Sequence, residues 1–169
     1  RCISYLTIEH RGHIPIDLRV GIGDWVFGCD VCQEVCPWNR KPVRHAAAAQ
    51  SPRSTLELTG LFSLSDEQFR AHFRKTPLWR TRRRGILRNA ALVLGNQRDP
   101  RSIPALLRGF ADDSPIVRAA SVWALGRFDD AECRAVIRAR LDHETDPEVI
   151  KEIALVLGDQ LEAPASETD

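Results

Sequence analysis

Four of the five cysteines crowd into the first 36 residues, at Cys2, Cys29, Cys32 and Cys36, with the last three in Gly28-Cys29-Asp30-Val31-Cys32-Gln33-Glu34-Val35-Cys36-Pro37-Trp38. Thiols this close in a tight loop are poorly placed to pair with distant partners, so a disulfide framework is not expected. Thiolates converging on a loop suit a soft metal centre instead. Zinc is one reading, because C-x2-C is common in zinc sites and Cys2 and Cys36 offer two more ligands for a tetrahedron. Cys133 lies in the helical pattern Asp130-Ala131-Glu132-Cys133-Arg134-Ala135-Val136, far from the others. It is expected to be a small buried hydrophobe.

The x3 spacing before a proline favours iron–sulfur ligation over zinc. In the bacterial ferredoxin pattern, C-x2-C-x2-C-x3-C-P, the last cysteine ligates the other cluster of a pair. Here the C-x2-C-x3-C-P part is intact, and the first cysteine stands back at Cys2. On this reading Cys2, Cys29 and Cys32 hold one 4Fe-4S cluster and Cys36 reaches a second. Pro37, with its fixed φ, turns the chain away. Two clusters need eight thiolates, so the complementary motif is expected upstream. A chain that begins at Arg1 and contains no Met is likewise expected to be a processed or truncated piece.

The rest reads as helical. Residues 2–11 suggest a short helix with Gly12 as its stop, and Asp24-Trp25-Val26-Phe27 is expected to bring aromatic cover to the cluster. Residues 1–45 form an iron–sulfur segment and 46–56 a linker; 57–160 are a helical region and 161–169 a flexible tail. Ser65-Asp66-Glu67-Gln68 is a capping box, and Phe69 and Phe73, one turn apart, mark the buried face of the helix that follows. Three blocks ending in Gly95, Gly126 and Gly158 repeat at intervals of 31 and 32 residues. Each contains a capping Asp or Ser ahead of Pro: Asp99-Pro100, Asp113-Ser114-Pro115 and Asp146-Pro147. Two helices fit each period, giving a solenoid stacked through Ala, Leu and Val faces that resembles short HEAT repeats. The expected fold is therefore mainly α, a ferredoxin-type iron–sulfur segment followed by a short HEAT-like solenoid. No run approaches the ~20 apolar residues of a membrane span.

Net charge is +1, but residues 1–98 carry 16 Lys/Arg against 8 Asp/Glu, whereas 129–169 carry 4 against 12. From Gln68 to Arg98 there are nine basic residues and no acid. A solvated helix face mixes both signs; thirty-one residues without a carboxylate point to phosphate contacts. Arginine dominates, which suits bidentate phosphate binding and stacking on bases.

Three stretches carry a resemblance: Cys2-Ile3-Ser4-Tyr5-Leu6-Thr7-Ile8-Glu9-His10-Arg11-Gly12, Trp25 through Asn39 around the cysteines, and Leu87-Arg88-Asn89-Ala90 through Leu94-Gly95-Asn96. Together they resemble the C-terminal half of the epoxyqueuosine reductase family, which completes queuosine in tRNA. The resemblance implies cobalamin-dependent reductive removal of an epoxide oxygen from the wobble base. Two 4Fe-4S clusters would relay single electrons to the cobalt, with the potential set by the cluster's surroundings. Cobalamin and the proton donor are expected mainly upstream, so no catalytic residue is assigned here and the chain alone is expected not to turn over. Ser4 and Asp30, beside the cluster ligands, are candidate corrin neighbours. His10 and Arg11 are candidates near the RNA, and Arg80, Arg82, Arg83, Arg84 and Arg88 for phosphates of the anticodon stem-loop. Trp79 either stacks on a base or joins the core, and Asn89 caps or braces the repeat. An external electron donor, no membrane, a monomer and a cytoplasmic location are expected. The alternatives are a zinc-braced protein-interaction module and a dicluster electron-transfer subunit of another reductase.

Overall fold

The computed structural model describes residues 2–39 and 56–158, and among them there is no strand. The expected linker, apart from Leu56, and the expected tail lie outside the described residues. Among the described residues nine α-helices follow in order: α1 (Ile16–Arg19), α2 (Val31–Glu34), α3 (Leu58–Leu61), α4 (Asp66–Phe73), α5 (Arg82–Gln97), α6 (Ile103–Phe110), α7 (Pro115–Leu125), α8 (Ala131–Leu141) and α9 (Pro147–Leu157). The first segment contributes a π-helical turn, Tyr5–Glu9. This helix ends earlier than the sequence suggests: His10 is already extended, while its N–H closes on the Tyr5 carbonyl.

The solenoid is built on α5, α7 and α9, which stack α5 on α7 and α7 on α9. The repeating glycines explain the closeness of that stack. A Cβ on Gly95 would stand 2.8 Å from the Ala124 Cα, and one on Gly126 would stand 2.6 Å from a Val156 methyl. Both glycines therefore sit where one helix lies against the next, and any side chain would push the repeats apart. Gly158 differs, ending α9 in a left-handed conformation, φ +75°, a common helix stop.

Helix starts follow the expected chemistry with one exception. Asp99 caps through Arg101 N–H, and Asp146 through the amides of Glu148 and Val149. Ser114 does not cap α7; Asp112 Oδ1 instead accepts from the Ser114 N–H at 2.9 Å. The capping box forms in full, Gln68 N–H to Ser65 Oγ at 3.2 Å and Ser65 N–H to Gln68 Oε1 at 2.9 Å. Phe69 is buried against Phe73, with ring centres 4.6 Å apart.

Residues 2–28 are not a separate lobe. Leu6, Ile14 and Ile22 are buried in the same apolar cluster as Ile86, Leu87, Leu92, Leu106, Val117 and Ile153. Each such side chain contributes about 1.5–3 kcal/mol of transfer free energy. Trp25 and Phe27 pack against this cluster as well. Cys133 is buried as expected, and burial pushes its thiol up to about 11.

Candidate functional site

The cysteine loop sits at one edge of this core. Gly28 turns with φ +77°, and Asp30 opens α2 by accepting the Gln33 and Glu34 amides on its carbonyl. Pro37 starts a 3-10 turn, Pro37–Asn39, as a residue with fixed φ and no N–H can. Asn39 Nδ2 donates back to the Gln33 carbonyl at 2.9 Å, tying off the loop. Cys2 and Cys32 are exposed, Cys29 and Cys36 half-buried, and all four are free thiols. Around them Val31, Val35 and Trp38 face outward, Trp38 being 91% exposed. Ser4 is half-buried beside Cys2, and Asp30 is exposed, its carboxylate not used to cap α2.

Helix α5 holds the backbone behind this loop. Arg88 is 1% exposed, and its guanidinium spends every N–H inside. Nη1 donates to the carbonyls of His10 (2.8 Å) and Gly12 (2.7 Å), and Nη2 to the Leu6 carbonyl (2.8 Å) and Asn89 Oδ1 (2.8 Å). Nε donates to Asn89 Oδ1 as well, at 3.0 Å. Asn89 Nδ2 in turn bridges the Thr7 and Val26 carbonyls, both at 2.8 Å. Burial, with Arg11 and Arg84 nearby, lowers the Arg88 guanidinium to about 10, so it stays charged at neutral pH.

The sequence places Arg88 among the residues expected to reach RNA phosphates, and this network rules that out. Five donors all fixed on oxygens of the protein leave none for a ligand. Arg83 is also largely committed, through Nε to the Leu64 carbonyl (2.8 Å) and Nη2 to Asp112 (2.7 Å). Sequence alone does not separate these two from their neighbours, because helical position, not residue type, sends them inward.

The other expected basic residues remain outside. Arg11, Arg82 and Arg84 are exposed, and Arg80 is 66% exposed while paired to Glu9 at 2.7 Å. Arg11 Nη1 donates to the Arg80 carbonyl at 2.9 Å, so the chain just after the π-helical turn meets the chain just before α5 along one basic edge. Arg82 holds a left-handed backbone, φ +64°, with its guanidinium 4.2 Å over the half-buried Trp79 ring. His10 Nε2 lies 2.9 Å from the His13 carbonyl, bracing the turn locally.

Comparison with known proteins agrees with both halves of this layout. Residues 1–39 match the 4Fe-4S double cluster binding domain, and residues 78–158 match HEAT repeats. A Geobacillus stearothermophilus protein of no assigned function is 33% identical over 158 residues, which cover 90% of this chain and 72% of that one. Epoxyqueuosine reductase of Pseudomonas aeruginosa is 47% identical over 138 residues, covering 77% of this chain and 37% of the relative. A crystal structure of epoxyqueuosine reductase with an epoxyqueuosine-modified tRNA-Tyr stem loop superposes with a TM-score of 0.81 at 31% identity, over 94% of this chain and 43% of that one. The chain is similar to epoxyqueuosine reductases over part of their length.

The chain spans less than half the length of the named reductases it matches. The match of residues 1–39 to a 4Fe-4S double cluster binding domain supports iron–sulfur clusters, and the donor set fits them: four thiols, none in a disulfide, of the ligand type that such clusters take. Among the described residues no three His, Cys, Asp or Glu side chains close on one ion. A four-iron cluster bonds each thiolate to a different iron, so its ligands need not meet at a point. Among the described residues no helix is long and apolar enough to cross a membrane.

Proposed function

We propose that this chain is the iron–sulfur and RNA-contacting part of an enzyme that reduces epoxyqueuosine to queuosine at the tRNA wobble position. The observation that carries the reading is the Cys29-x2-Cys32-x3-Cys36-Pro37 loop, within a double-cluster match, mounted on a HEAT helix whose first turn is basic. When bound, the clusters supply single electrons from an external donor and cobalamin, held mainly outside this chain, supplies the reductive chemistry. Cys2, Cys29 and Cys32 are the ligands of the cluster nearer the corrin, and Cys36 of the other. Ser4 and Asp30 face the corrin from beside those ligands. Arg11, Arg80, Arg82 and Arg84 meet phosphates of the anticodon stem-loop, leaving His10 to shape the turn that presents Arg11. The 1–45 and 57–160 regions then act as cluster carrier and RNA support in a monomeric, cytoplasmic enzyme.

The deciding experiment measures iron, acid-labile sulfide and zinc in the anaerobically purified full-length protein. About eight irons and eight sulfides per chain are expected for two four-iron clusters. Stoichiometric zinc without sulfide overturns the reading. Cys32→Ser should abolish one cluster and the reductase activity, and full activity in that variant contradicts the ligand assignment.

A further inference from the structure

Cys2 and Cys29 are 27 positions apart in sequence, yet a shared cluster requires their backbones to hold a fixed register. One side chain connects them. Thr7 is fully buried, and its hydroxyl donates to the Ile3 carbonyl at 2.9 Å while accepting from the Gly28 N–H at 3.1 Å. Ile3 follows Cys2 directly, and Gly28 directly precedes Cys29. The left-handed φ of Gly28 belongs to this turn, where a glycine adopts it without strain.

The pin is itself held from the solenoid. The Thr7 carbonyl accepts from Asn89 Nδ2 at 2.8 Å and from Thr81 Oγ1 at 3.4 Å. The second N–H of Asn89 goes to Val26, on the Cys29 side. Its Oδ1 takes two Arg88 donors, which fixes the amide orientation and leaves one way for Asn89 to face. Arg88 then fastens the Leu6, His10 and Gly12 carbonyls. Among the described residues no carboxylate joins this network, and Asn89 and Arg88 grip the first segment by its backbone alone. Such a network fixes where the chain runs while leaving its side chains free for other work.

We infer that Thr7, held by Asn89 and Arg88 of α5, is a positioning residue that sets the Cys2–Cys29 register for the cluster they share. It touches neither iron nor substrate. Its effect passes through the two ligand-bearing backbones, in the way outer contacts orient metal ligands. The inference rests on the cluster assignment above.

The experiment compares Thr7→Val and Thr7→Ser in the anaerobically purified full-length protein. Its readouts are iron content and the electron paramagnetic resonance of the dithionite-reduced clusters. Thr7→Val, which keeps the shape and removes the hydroxyl, is expected to lose one of two reduced-cluster signals, with iron falling by about half. Thr7→Ser should retain both. Thr7→Ala removes the same hydroxyl with less bulk and replaces Thr7→Val if that protein does not fold. Unchanged iron and spectrum in the folded hydroxyl-free variant overturn the inference, as does failure of both variants to fold, which makes the hydroxyl a folding determinant only. A wild-type protein without iron or sulfide instead removes the cluster assignment beneath it.

Discussion

Arg19 and Glu152 stand 133 positions apart in the chain and meet in a buried two-pronged ion pair, Nη1 to Oε1 at 2.6 Å and Nη2 to Oε2 at 2.9 Å. Arg19 Nε also holds the Ile14 carbonyl at 2.8 Å. The cluster-bearing segment is thus tied to α9, the last described helix, as well as to α5. Removing one partner leaves an uncompensated buried charge, worth about 3–5 kcal/mol. Glu152→Gln should lower stability by that order in a denaturant titration. Arg19→Met with Glu152→Leu should recover much of the loss, since apolar replacement of both partners removes the desolvation cost. A Glu152→Gln protein with unchanged stability contradicts this role.

Arg88→Met should destabilise the fold more than Arg84→Met. The first orphans the buried Leu6 carbonyl, costing about 1–3 kcal/mol, and also strips the half-buried His10 and Gly12 carbonyls of their donors. The second alters an exposed side chain, with an effect within about 0.5 kcal/mol. Paired thermal melts decide between them.

Gly95→Ala tests the repeat spacing. In an open helix the change gains about 1 kcal/mol from propensity. Here the new methyl meets Ala124 backbone at 2.8 Å, and crowding costs about 1–3 kcal/mol. A net loss of stability is expected, and a gain would show that α5 and α7 separate freely.

Arg82→Gly separates stability from binding. Glycine takes φ +64° without the cost an ordinary side chain bears there, so the melting temperature should not fall. If Arg82 neutralises a phosphate, its removal weakens tRNA binding, and the slope of log K against log salt shrinks by about 0.7–0.9 for that one charge. A variant with unchanged affinity and slope removes Arg82 from the interface.

Acid should act through Glu144. Burial by itself would raise this carboxyl, but the Arg118 guanidinium and the Asp146 and Thr145 amides hold it below its ordinary value. Arg118 grips it with two bonds, 2.9 and 2.8 Å. A depressed folded-state value means the stabilisation is complete above about pH 4.3, the unfolded value, and is lost as pH falls through the folded one. Glu144→Gln should be less stable at neutral pH and should flatten the stability profile below about pH 4.3. An unchanged acid limb contradicts the assignment.

A thiolate-rich loop and a helical repeat were both legible in the sequence. Cysteine spacing, the proline after Cys36, the glycine period and the Asp-Pro helix starts are local properties, set by ligand reach, fixed φ and hydrogen-bond capping, so they are readable before any fold. Tertiary structure decided which arginines face water. Arg82, Arg83, Arg84 and Arg88 are alike in composition, yet one stacks on Trp79, one pairs with Asp112, one is exposed and one is sealed beneath the first segment. Packing assigns those fates, with residues 6–12 sealing Arg88 and Leu64 and Asp112 holding Arg83, because a guanidinium goes inside only where enough oxygen acceptors converge to replace its water.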